Sequence, residues 1–190
     1  VFTATAASGP TPAVSSAFDI TQKALTATIT ASNKTYDGLD SATITGRTPV
    51  GVESGDTVTL SGGTATFADA NVGTGKVVTA SGMTLGGAQL AKYTFDGAGT
   101  GSADITALGI TVTPDSAQTK VYGDADPALT YTLSTPLLTG GSFGATALSR
   151  VSGENVGTPA ITLGTLSAGS NYALTLGGAV TFEITKRPIK

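Results

Sequence analysis

From Leu25 to Ala31 every second residue is apolar, with Leu25, Ala27, Ile29 and Ala31 alternating with Thr26, Thr28 and Thr30. Near the other end of the chain Val180, Phe182 and Ile184 alternate with Thr181, Glu183 and Thr185. A period of two places one face of a strand in a core and leaves the other wet. Shorter runs of strand-forming residues fall at 42–45, 58–60, 64–67, 76–80 and 93–95, and again at 110–113, 129–133, 161–163 and 172–176, divided by Gly, Asp, Asn and Ser turns. No stretch competes with a helical pattern. Many short strands of this kind predict an all-β, two-sheet Greek-key sandwich, because each sheet must bury its one apolar face against another.

The pattern occurs twice. Ile20-Thr21-Gln22-Lys23-Ala24-Leu25 returns as Ile105-Thr106-Ala107-Leu108-Gly109-Ile110, 85 residues on, and as Ile184-Thr185-Lys186-Arg187-Pro188-Ile189, a further 79 residues on. Between these markers Lys34-Thr35-Tyr36 answers to Lys120-Val121-Tyr122, Asn71-Val72-Gly73 to Asn155-Val156-Gly157, and Lys92-Tyr93 to Asn171-Tyr172. Order and spacing are both kept, which marks tandem structural units. The expected division is 21–106 and 107–185, with 1–20 the tail of a preceding repeat or an artificial edge, and 186–190 the start of another repeat. At Phe18–Leu25 and Asp104–Ile110 the last strand of one unit is expected to run almost directly into the first strand of the next. Without a Gly/Ser spacer the units are held at a nearly fixed angle, in an extended arrangement. Strands of about 7 or 8 residues give each unit a length of about 35 to 40 Å.

Composition narrows the function. The 190 residues contain no His, Cys or Trp, which removes the usual base of hydrolytic triads, the thiol nucleophile and the commonest zinc ligands. Only 12% of residues are charged, so the polar surface is largely Thr, Ser and Gly, as suits exposed strand faces. A net charge of −3 with no Lys or Arg cluster offers no field for a phosphate backbone, so no nucleic-acid partner is expected. No segment reaches the roughly 18 apolar residues of a membrane-spanning helix, so no membrane insertion is expected either.

Lys34-Thr35-Tyr36-Asp37-Gly38, with Asn71-Val72-Gly73 and Tyr93-Thr94-Phe95 downstream, resembles the YDG repeat of large bacterial surface and secreted proteins. Lys120-Val121-Tyr122-Gly123-Asp124, Ala128-Leu129-Thr130-Tyr131, Gly153-Glu154-Asn155-Val156-Gly157 and Ser170-Asn171-Tyr172 resemble its relative, the MBG repeat. The resemblance implies two immunoglobulin-like β-sandwiches and a place in filamentous-haemagglutinin-like or other giant adhesins, secreted or on the cell surface, where such repeats form a stalk. The partners it implies are neighbouring repeats of the same chain, with host or matrix surfaces reached through other domains of a monomer. The alternative is a binding module that touches glycan, matrix protein or another adhesin copy directly. The order Gly123-Asp124, against Asp37-Gly38, points to a different turn in the two units.

Few residues suggest chemistry. Asp124 and Asp126 offer two nearby carboxylates to Ca²⁺ in a loop, with Asp37 and Asp40 weaker candidates, although calcium takes 6 to 8 oxygens and Asp and Gly favour turns for backbone reasons. No cofactor other than this calcium is implied. Glu53, Glu154 and Glu183 show no pairing of the kind glycoside hydrolysis needs, so no catalytic residue and no enzyme activity is expected. Tyr36 and Tyr122 are expected to pack at the edge of their own sandwich. Asn33-Lys34-Thr35 fits the glycan acceptor rule. An isopeptide crosslink with Lys23, Lys34 or Lys120 as amine needs a buried lysine beside a carboxyl or carboxamide and an acidic catalyst.

Overall fold

A computed structural model of the chain describes residues 19–144 and 147–189. Among these residues the regular structure is β, apart from a single 3-10 turn at Leu90–Lys92. No helix among them is long and apolar enough to cross a membrane. The strands form two units with separate cores.

In the first unit the strand Thr26–Ala31 buries Ala27 and Ile29 and exposes its threonines, as the alternation requires. It belongs to a seven-stranded sheet whose order is Ser41–Ala42, Thr59–Phe67, Gly73–Gly86, Gly99–Thr106, Thr26–Ala31 and Ile44–Val50, with Lys34–Thr35 pairing beside Thr26–Ala31 on Gly99–Thr106. The two strands at its ends, Ser41–Ala42 and Ile44–Val50, are separated in the chain by Thr43 alone. A flat sheet cannot have sequence neighbours at opposite edges, so this one folds over on itself. The folded sheet closes around Ile29, Phe67, Val78, Ala80, Met83 and Ile105.

The runs expected separately at 58–60 and 64–67 are one strand, Thr59–Phe67, paired along a hairpin with Gly73–Gly86. Ser61-Gly62-Gly63 had the composition of a turn. Gly63 instead lies inside the strand, between the Gly62–Met83 and Thr64–Ser81 pairs, in a left-handed conformation, φ +84°, where a Cβ would meet Met83 Cγ at 2.6 Å. The glycine lets the methionine side chain lie across the hairpin into the core.

The second unit is less regular. Leu108–Pro114 lies between Tyr131–Leu133 and Tyr172–Leu176, Thr119–Val121 pairs with Glu183–Thr185, and Ser149–Arg150 pairs with Ile161–Thr162. Its core holds Val112, Leu148, Ile161, Leu166, Phe182 and Ile184. Phe182 and Ile184 are buried and Glu183 is exposed, in keeping with the alternation.

Both units share a feature that alternation does not reveal, the parallel pairing of their opening and closing strands. Lys23 pairs with Tyr93, Thr28 with Thr100 and Lys34 with Ile105 in the first unit. In the second, Leu108 pairs with Tyr172, Val112 with Leu176 and Lys120 with Ile184. Strands that run the same way start at the same end. Each unit is therefore entered at one end and left at the other. The chain crosses between them through Ala107 alone, which separates Gly99–Thr106 from Leu108–Pro114.

The expected strand through Phe18–Leu25 is not continuous. Phe18 lies outside the described residues, Asp19–Gln22 has no strand pairing, and regular structure begins at Lys23. Ile20 is exposed, whereas its counterparts Ile105 and Ile184 are buried by the units whose last strands they belong to.

Candidate functional site

The repeated lysine of each unit serves its own fold. Lys34 reaches from its strand to Asp37 Oδ1 at 2.7 Å and to the carbonyls of Leu39 and Ser41, with its ammonium 5.7 Å from the centre of the Phe67 ring. It ties down the loop after Tyr36, and the same contact holds the Asp37 carboxyl below its ordinary range. Lys120 goes further, because its side chain is 4% exposed and meets two carboxylates, Asp126 at 2.7 Å and Glu154 at 2.6 Å. Arg150 binds the same two acids and lies 5.6 Å from the centre of the Phe182 ring, closing the core from above. Arg150 and then Lys120 depress the Asp126 carboxyl, Lys120 and then Arg150 depress that of Glu154, and the two acids raise Lys120.

This arrangement bears on two of the chemical expectations. The trio of buried amine, carboxyl and second acid is present, but amide condensation needs a neutral amine and a protonated carboxyl. Arg150 holds the acids ionised and the acids hold Lys120 protonated, so the geometry of a crosslink carries the charge state of an ion network. The carboxylates considered for Ca²⁺ are engaged by the chain's own cations: Asp126 by Lys120 and Arg150, and Asp124 by Arg187. Among the described residues no group of three acidic side chains is placed to hold a metal ion. Of the remaining candidates, Glu53 pairs with Lys23, and Asn33 Oδ1 accepts the Asp104 N–H at 2.8 Å.

The residues that meet across the boundary include Tyr36, Gly38, Asn71 and Val72 from the first unit, and Leu138, Asn171 and Tyr172 from the second. The Tyr36 ring stands edge-on to that of Tyr172, with centroids 5.4 Å apart and planes at 82°. Tyr36 also packs against the small cluster of Ile110, Ala168 and Tyr172. Tyr36 packs against the core of its own unit as expected, and the contact with Tyr172 adds a second role that spacing did not show. Asn171 bridges the boundary with both ends of its amide: Oδ1 accepts the Val72 N–H at 2.9 Å, and Nδ2 donates to Asn71 Oδ1 at 2.9 Å. Gly38 lies within 3.6 Å of Leu138 Cδ1, measured from where a Cβ would stand.

Each tyrosine is anchored by a hydrogen bond within its own unit. Tyr36 is anchored by its N–H to Thr106 O at 2.8 Å, on the last strand of its own unit. Tyr172 is fixed by the Leu138 N–H, which donates to its hydroxyl at 3.1 Å. Tyr93 sits at the matching corner of the first unit, where its hydroxyl accepts the Glu53 N–H at 3.0 Å and donates to Asp56 at 2.7 Å.

Residues 21–102 match the family model of the YDG domain, and residues 110–182 match that of the MBG domain, YGX type. The chain carries a YDG domain followed by an MBG domain. No curated protein and no solved structure matches it. Both matches lie within the units, the YDG domain ending and the MBG domain beginning on either side of Ala107.

Sequence reasoning found the tyrosines and Asn71-Val72-Gly73 as repeat markers but not their meeting. It missed Arg150 and the bridging role of Asn171. A signal for the latter existed in the replacement of Lys92 in the YDG domain by Asn171 in the MBG domain at an otherwise matching corner.

Proposed function

We propose that this YDG–MBG tandem is a spacer segment of a large secreted or cell-surface bacterial adhesin, holding a distal adhesive region away from its base. The observation that carries this reading is the parallel pairing of first and last strands in both domains. Entry at one end and exit at the other make each domain add its length to an array, which a domain with both termini on one side does not do. The one-residue crossing at Ala107 and the Tyr36–Tyr172 and Asn71–Asn171 contacts support a joint that transmits direction as well as length. Function in this reading is geometric, and no side-chain reaction is needed for it.

Small-angle scattering of the tandem tests the proposal. The expected result is an elongated particle with a narrow distribution of domain separations, and Tyr36→Ala together with Asn171→Ala broadens that distribution while both domains stay folded. A compact, folded-back pair overturns it.

A further inference from the structure

The MBG domain carries, at the end remote from the YDG domain, the same three elements that form the first domain's half of the joint. Lys120 pairs with Ile184 as Lys34 pairs with Ile105. The Tyr122 N–H donates to Thr185 O at 2.9 Å, as the Tyr36 N–H donates to Thr106 O at 2.8 Å. Gly157 lies opposite Ile184 as Gly73 lies opposite Ile105, so Asn155-Val156 stands where Asn71-Val72 stands. At this second place no other described residue covers the surface: Tyr122 is 48% exposed and Val156 47%. Together with Asn155 and Lys186–Ile189 they line an open, largely apolar hollow. Ile189 is 99% exposed, whereas its counterpart Ile110 is fully buried in the cluster at the existing joint.

We propose that this hollow is a second half-joint, whose occupant is a further MBG-type unit continuing the chain from Ile189. The proposal rests on the spacer reading and adds a rule of order to it. In the existing joint the bridging residue must accept from a backbone N–H and donate to an asparagine carbonyl at once, which a carboxamide does with its two ends. The YDG domain has Lys92 at the corresponding corner, an ammonium that donates only and is held by Asp56 at 2.8 Å. An MBG-type corner therefore satisfies Asn155 and the Val156 N–H, and a YDG-type corner leaves the N–H without its acceptor. Several positions differ between the two half-joints: Gly123-Asp124 stands where the existing joint has Asp37-Gly38, Lys186 and Pro188 where it has Ala107 and Gly109, and Arg187 where it has Leu108. The Arg187 guanidinium folds back onto Tyr122 O and Asp124, leaving the Tyr122 ring and Val156 uncovered.

The test lengthens the whole chain after Lys190 in repeat register, with a copy of residues 112–185 in one protein and of residues 27–106 in the other. Amide hydrogen exchange is read at Val72 and Val156 by NMR, and dispersed resonances of the added unit report that it has folded. Val156 is expected to exchange about tenfold more slowly with the MBG extension, as suits one new hydrogen bond, and at its original rate with the YDG extension. Asn171→Leu in the appended copy restores fast exchange, and the same substitution in the unextended chain frees Val72, which checks the bridge without relying on a new domain. Fast exchange at Val156 beside a folded MBG extension overturns the proposal, as does equal protection by both extensions. Protection of Val156 that depends on concentration in the unextended chain also overturns it, by placing the occupant on another molecule. Unprotected Val72 in the unextended chain is a different failure, since it removes the fixed joint on which the spacer reading stands.

Discussion

At the scale of single residues the MBG domain depends on a charge network that seals one end of its core. Asp126 and Glu154 have carboxyls held below their ordinary range by Arg150 and Lys120. A depressed carboxyl contributes stability that is complete above its unfolded pKa and is lost as pH falls through the folded value. Lys120, raised by the same acids, contributes fully below its unfolded pKa and loses its share only as strong alkali carries pH through the raised value. Urea midpoints of the MBG domain are therefore expected to stay level near neutrality and to fall as pH drops below about 4 to 5, and Glu154→Gln should flatten part of that slope. Asp37, Asp56 and Asp69 give the YDG domain an acid limb of its own, so the two transitions must be followed separately. A second check is the intact mass. It should equal that of the plain sequence, and loss of one water would show that Lys120 had condensed with a carboxyl. The sequence singled out Lys120, Asp126 and Glu154 separately, but neither Arg150 nor the meeting of the four was legible beforehand. Lys120 and Asp126 are close in the chain, but Arg150 and Glu154 arrive from a distant segment, and spacing alone does not say which acid a lysine will meet.

At the scale of elements, legibility followed burial. Thr26–Ala31 and the segment from Phe182 to Ile184 were readable because one face is in a core and the other in water, which writes a period of two into the residues. The long hairpin of the YDG domain was broken in the sequence reading at Gly62-Gly63, since left-handed glycines within a ladder and glycines in a turn have the same composition. Parallel pairing was not legible at all, because alternation specifies a face and never a neighbour. Where those parallel strands approach, Gly101 is required: a Cβ there would stand 2.2 Å from the Ile29 carbonyl oxygen. Gly101→Val should push Gly99–Thr106 away from Thr26–Ala31 and destabilise the YDG domain by about 1 to 3 kcal/mol or more. Denaturant unfolding followed by NMR should show that transition move while the MBG transition keeps its midpoint. An unchanged YDG midpoint would show that the contact relaxes at little cost.

At the scale of the whole molecule, repetition in the sequence located the boundary at Ala107 and left the joint hidden. Tyr36 and Tyr122 recur at matching positions, and recurrence fits a residue that keeps its own fold as well as one that meets the next domain. The structure shows Tyr36 doing both, packed on its own core and against Tyr172, while Tyr122 stays half exposed. The shared strand direction has a further consequence when the molecule is pulled. Tension applied at the two termini of a domain draws its first and last strands in opposite directions along their own axes, so the pairings from Lys23–Tyr93 to Thr35–Thr106 are loaded together in shear and cannot be peeled apart singly. In single-molecule stretching each domain should hold to a sharp rupture and then release its slack in one step. In the proposed spacer, lengthening under a tug would sacrifice one domain at a time and spare the attachment at its far end.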